Sequence, residues 1–106
     1  MNTTAENALR EVYAEISKWR DELAAGDLQN RWNYALWDSA NEAIAHLDAA
    51  MHAAYVGAEG VRLFHVRKAH DILFILHRAV GPDGIPCFNN GSAPAMLDLA
   101  VTSGRI

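Results

Sequence analysis

Apolar residues recur at spacings of three and four along the first part of the chain, which is the pattern of a helix with one buried side. Thr3 followed by Glu6 has the form of a capping box, so we expect this helix to begin at Thr3. Gly26 predicts its C-terminal cap. The positions expected to be buried are Leu9, Val12, Tyr13, Ile16, Trp19 and Leu23.

A second helical pattern follows and closes at Gly57, with Asp27 as its expected N-cap. It either runs through Asp38 and Ser39 or is broken there, because each of these residues can cap a new helix. The short link after Gly57 favours an antiparallel neighbour. One side is expected to be small and polar, with Glu42, Ala49 and Ala53, and the apolar side to carry Leu36, Trp37, Ala40, Ile44, Leu47, Met51, Ala54 and Tyr55.

The most apolar window of the chain is 61–80, and its periodic flanks predict a third helix. Its core side is expected to carry Val61, Val66, Ala69, Ile72, Leu73, Leu76 and Val80. Phe64 and Ile75 lie outside one edge of that side, and Leu63 and Phe74 lie outside the other. A helix that is apolar over most of its circumference is either the central rod of a bundle or is partly covered by another chain. A buried strand over 72–76 is the local alternative.

Beyond Gly81 the chain is rich in turn signals, including Pro82, Pro86 and Asn90-Gly91. Ser92 can cap a last short helix that would carry Met96, Leu97, Leu99 and Val101. We therefore predict an all-α protein, a small helical bundle of three main helices with a short C-terminal helix in an irregular tail. It is expected to form one domain over 1–106, with the bundle in 1–81 and the tail in 82–106.

Bulk properties narrow the function classes. The net charge of -4 argues against a dedicated nucleic-acid binder, and the single Cys87 cannot form an internal disulfide. Neither a signal peptide nor a membrane span is expected, which predicts a soluble cytoplasmic protein. Charge is uneven: 58–81 is basic, whereas 1–26 and 27–57 are acidic. Acidic Asp21, Glu22, Asp38 and Glu42 could meet a basic groove on a partner.

The five histidines are the first candidates for chemistry. A metal or small-ligand site would use His46, His52, His70 or His77, but their helical positions do not converge on one ion. His65 falls on the core side and is expected to be neutral and hydrogen-bonded. The sequence therefore predicts no metal and no cofactor, with histidine ligation as the alternative.

Catalytic motifs are missing from the sequence. No nucleophile has a base at a recognisable spacing, and there is no glycine-rich phosphate loop. We therefore expect no enzyme. A third class, direct nucleic-acid binding, would depend on Arg62, Arg67, Lys68 and Arg78.

The prediction that remains is a non-catalytic interaction protein. Trp32 and Tyr34 lie outside the apolar side of the second helix. Large aromatic residues outside a core side are enriched at protein interfaces. The partner is expected to be a protein, through self-association or through inhibition or adaptor binding of the kind that phages and other mobile elements encode. The candidate partner-binding residues are Trp32, Tyr34, Phe64, Arg67, Phe74, Ile75 and Arg78.

Overall fold

The computed structural model describes residues 3–80, with side chains described from Leu9 onward except that of His77. Within that range the chain forms three helices: α1 at Thr3–Ala25, α2 at Arg31–Val56 and α3 at Glu59–Val80. The all-α helical bundle predicted from the periodicity is confirmed, and no strand interrupts 72–76. The predicted turns and short helix of 82–106, and the side chains of the Thr3–Glu6 capping box, lie outside the described residues.

α2 begins one residue after Asn30, which is its N-cap. The Asn30 side-chain oxygen accepts hydrogen bonds from the backbone N–H groups of Trp32 and Asn33 at 2.9 and 3.2 Å. The prediction that Asp27 caps this helix is wrong, because its carboxylate accepts from the Gln29 N–H at 3.0 Å and shapes the preceding turn instead. α2 then runs without a break through Asp38 and Ser39.

The two predicted glycine stops end their helices in different ways. Gly57 has a φ of 78°, and the N–H groups of Gly57 and Ala58 bond to the carbonyls of Ala54 and Ala53, which is a Schellman motif. Gly26 follows α1 without a left-handed φ, although its N–H still bonds to the Leu23 carbonyl at 3.1 Å. The tight turn at Gly57 brings α3 back alongside α2.

The middle helix of the bundle is α2, so the interpretation of α3 as a central rod is wrong. α2 packs along both α1 and α3, whereas α1 and α3 approach each other far less closely. One contiguous core joins all three helices. Its largest fully buried side chains are Leu9, Val12, Ile16, Leu47, Val66 and Leu73.

Because α2 has neighbours on two sides, more of its circumference is buried than the predicted apolar side of the helix. Ala43, Ala50 and Ala53 are buried on the side that carries His46, which contacts α3. Ala53 was assigned to the exposed side and is 2% exposed, whereas Tyr55 was assigned to the core and is 85% exposed. Small side chains on this side allow the two helices to lie close together.

Candidate interaction surface on α3

Six residues form a band along the side of α3 that faces away from the bundle, and we call this band the outer stripe. They follow one another at alternating spacings of three and four, and all are exposed. The core residues Val66, Ala69 and Leu73 occupy the opposite side of the same helix. The outer stripe consists of Val61, Phe64, Lys68, Asp71, Ile75 and Arg78.

The apolar members of the outer stripe leave much of their surface to solvent. Val61 is 51% exposed, Phe64 is 50% exposed and Ile75 is 67% exposed. Phe64 and Ile75 were predicted to lie outside the core side, and their exposure confirms that placement. Val61 was expected to be buried, and Leu63 was expected to lie beyond the core edge; the two exchange roles, since Leu63 is only 6% exposed.

A shallow surface depression lies beside the N-terminal half of the outer stripe. It is lined by Phe64, Arg67, Lys68 and Asp71, with Gly60 and Leu63 at its edge. Four residues at this helical spacing form the kind of hole that receives one side chain from a packed helix. The Lys68 ammonium lies 5.6 Å from the centre of the Phe64 ring, so a cation borders an apolar surface.

The other predicted α3 candidates flank the outer stripe. Phe74 is 46% exposed, and the His70 ring stacks beside it at 6.1 Å between centroids. Arg67 and Arg78 are exposed but lie eleven residues apart, about 16 Å along the helix axis. That separation is too large for the two guanidinium groups to grip one small anion, so the residues belong to an extended surface.

Trp32 and Tyr34 are also exposed, at 54% and 51%. They belong to the first turn of α2, two residues apart, and therefore point to different sides of that helix. The Tyr34 ring packs against Trp37 at 5.6 Å between centroids. Of the predicted partner-binding residues, these two therefore belong to α2, whereas Phe64, Phe74 and Ile75 belong to α3.

Two histidines from different helices meet between α2 and α3. The Nδ1 atoms of His46 and His65 lie 2.9 Å apart and the ring centroids lie 5.1 Å apart, in a partly buried position. A hydrogen bond there requires a proton on one Nδ1 and a lone pair on the other. His65 was expected to be a hydrogen-bonded histidine, but its partner could not be found from the sequence because nineteen residues separate the two.

Neither His52 nor His70 joins this pair. His52 is exposed on α2, and the Nδ1 of His70 lies 3.9 Å from the Asp71 carboxylate. The side chain of His77 lies outside the described residues. In the described part of the chain, no group of three or more histidine, cysteine, aspartate or glutamate side chains is placed to hold a metal ion.

Removing one member of the histidine pair is expected to weaken the contact between α2 and α3. His46→Ala deletes the ring whose Nδ1 lies 2.9 Å from the Nδ1 of His65 and leaves that partly buried nitrogen without its partner. The variant should therefore lose about 1 kcal/mol of stability. Urea denaturation at pH 7.5 measures this loss.

The control for that prediction is His52→Ala, which removes an exposed histidine from the same helix. It should leave the stability at pH 7.5 close to that of the unchanged protein. An equal loss in the two variants would show that the contact between His46 and His65 adds no stability.

The four basic residues predicted for nucleic-acid binding do not share a surface. Arg62 is only 6% exposed, and its guanidinium binds both oxygens of the Glu59 carboxylate at 3.0 Å. This pairing removes Arg62 from any nucleic-acid surface. Arg67, Lys68 and Arg78 are exposed together with Asp71 on α3.

The acidic residues proposed to meet a basic groove are all exposed. Arg20 lies among them, with its Nε bonded to the Asp21 carboxylate at 2.9 Å and its Nη1 bonded to the Asn41 side-chain oxygen at 3.0 Å. This bridge links α1 to α2 and offsets part of the negative charge there. The four carboxylates are those of Asp21, Glu22, Asp38 and Glu42.

The hydroxyl of Ser17 is buried and has no hydrogen-bond partner. Cys87 lies outside the described residues. None of the three described helices is long and apolar enough to cross a membrane.

Comparison with models of known protein families gave no match, and neither did comparison with characterised proteins or with solved structures.

Proposed function

We propose that this protein is a non-catalytic interaction protein that binds a protein partner through the outer stripe of α3. The observation that carries the proposal is the exposure of Phe64 and Ile75, at 50% and 67%, on the side opposite the core. Large apolar side chains left exposed on one side of a helix are a feature of interfaces, since covering apolar surface is favourable by about 25 cal/mol per Å². Binding by surface contact of this kind needs no catalytic group.

The charged residues of this surface supply selectivity. Lys68 and Asp71 occupy the middle of the outer stripe between Phe64 and Ile75, and Arg78 ends it. Exposed charges of this kind add little affinity but disfavour partners with the wrong charge opposite them. The predicted inhibitor or adaptor role, in which the protein covers a partner's site, stays a prediction, and identification of the bound protein tests it.

Position-specific photo-crosslinking in the native host tests the proposal. A benzophenone amino acid in place of Ile75 should give covalent adducts with protein, whereas the same amino acid in place of Ala45, exposed on α2, should give far fewer. Adding Phe64→Glu to the Ile75 probe should abolish its adducts, because a carboxylate would replace the apolar contact. Equal adduct yields at the two positions, or adducts that survive Phe64→Glu, would overturn the proposal.

A further inference from the structure

The side chains of the outer stripe are complementary to the same side chains taken in the opposite order along the helix. When a second copy of α3 is laid antiparallel on the first about a two-fold axis, Phe64 lies opposite Ile75, and Lys68 lies opposite Asp71. Val61 then lies opposite Arg78. Each pair occurs twice because of the symmetry. A surface that is complementary to itself in this way is what a two-fold homodimer requires.

We propose that the partner of the outer stripe is a second copy of this chain, bound as an antiparallel α3 pair. This inference rests on the proposed function and names its partner. The central contacts are two ion pairs between Lys68 and Asp71 across the axis. Each is bordered by a Phe64 ring packed against Ile75 of the other copy, which shields the charges from water and strengthens their attraction.

The spacing of the outer stripe supports this geometry. Alternating steps of three and four are the repeat by which two helices interlock side by side, and the stripe keeps that repeat from Val61 to Arg78, about 25 Å. The depression between Phe64 and Asp71 is the hole such packing needs. Gly60, at the edge of the depression, has no side chain, and the space where a Cβ would stand is open to 4 Å.

The flanking residues also fit a second copy. In the antiparallel pair, Arg67 of one copy runs beside Phe74 of the other, so a guanidinium can lie against an exposed aromatic ring. Arg78 lies at the end of the stripe, where its aliphatic part can cover Val61 while the charge stays in water. The excess of positive charge on this surface is therefore placed at the solvent-facing rim.

The small size of the surface favours weak association. A single helix pair buries less than about 1,200 Å², the small end of specific interfaces, so we expect a dissociation constant of about 100 µM. Light scattering on a sizing column should therefore show a mass that rises from 11.6 kDa toward twice that value as the loading concentration rises from about 1 µM to 1 mM.

A charge-swap experiment tests the register. K68D and D71K each place like charges opposite one another twice in the homodimer, so each variant alone should associate at least about tenfold more weakly than the unchanged protein. When the two variants are mixed, one copy carries carboxylates at both positions and the other carries ammonium groups at both. Each of the two pairs across the axis then joins opposite charges. The mixture should therefore recover association as a heterodimer.

The mixture of the two variants distinguishes a contact between copies from an effect within one helix. Weakened association that is caused within one helix would persist when the variants are mixed. Circular dichroism of each variant at about 1 µM confirms that it is folded. Dimerisation of the unchanged protein without recovery in the mixture would overturn the register. If the protein stays monomeric at 1 mM but the Ile75 probe still crosslinks to another protein, the second copy is ruled out as the partner and the proposed function stands. If the protein stays monomeric and the Ile75 probe gives no adducts, the homodimer and the proposed function are both ruled out.

Discussion

Replacing Leu73 with alanine is expected to lower the free energy of unfolding by about 2–5 kcal/mol. Leu73 is fully buried in the core shared by the three helices, so the truncation removes apolar contacts and leaves a cavity that the packed neighbours cannot fill. A small domain has about 5–15 kcal/mol of stability in total, so the variant should be close to unfolding at 37 °C. Urea denaturation followed by circular dichroism measures the change.

The matched control is Ile75→Ala, two residues further along the same helix. Ile75 is 67% exposed, so its truncation should change the stability of the monomer by less than about 0.5 kcal/mol. Both variants should be measured at about 1 µM, where association through the outer stripe is negligible. A loss at Ile75 as large as that at Leu73 would mean that the outward side of α3 is covered within one chain, which contradicts the proposed surface.

The second large effect is expected from adding volume between α2 and α3. Ala50→Leu introduces three carbon atoms at a position that is fully buried on the side of α2 that faces α3. Because protein cores are close-packed, the two helices must move apart or the new side chain must adopt a strained rotamer, at a cost of about 1–3 kcal/mol. Thermal denaturation should show a melting temperature lower by several degrees.

Ala45→Leu provides the control for that substitution, since it makes the same chemical change on the exposed side of the same helix. Alanine and leucine have similar helix propensities, so its effect on stability should be within about 0.5 kcal/mol. If Ala50→Leu were equally tolerated, the close approach of α2 and α3 would not depend on small side chains at their contact.

The helices themselves were predictable because each has its signals in its own sequence. The spacing of Leu9, Val12, Ile16 and Trp19 predicted α1, and the same residues are buried. Gly57 predicted the end of α2 because a left-handed residue there carries no steric penalty. The N-cap was harder, since Asp27 and Asn30 both favour turns and only the path of the chain selects between them.

The candidate site was predictable in part. Periodicity placed Phe64 and Ile75 outside the core side of α3, and their exposure confirms that placement. It failed for Leu63 and Val61, which exchange roles because, among the described helices, α3 packs mainly against α2 and turns its core side toward that helix. The pair of His46 and His65 had no signal in the sequence, because a contact between two helices depends on their relative shift along the axis.

What the sequence determined by itself is local: the all-α class, where two of the helices end, and the positions of large apolar side chains outside the predicted core side of α3. These follow from hydrogen bonding and steric preferences within a few residues of each position. Only the tertiary structure decided that α2 is the middle helix, that its alanines are buried, and that the outer stripe of α3 is left uncovered by α1 and α2. A helical wheel shows in which direction each side chain points from its helix, whereas the burial of that side chain depends on whether another helix lies in that direction.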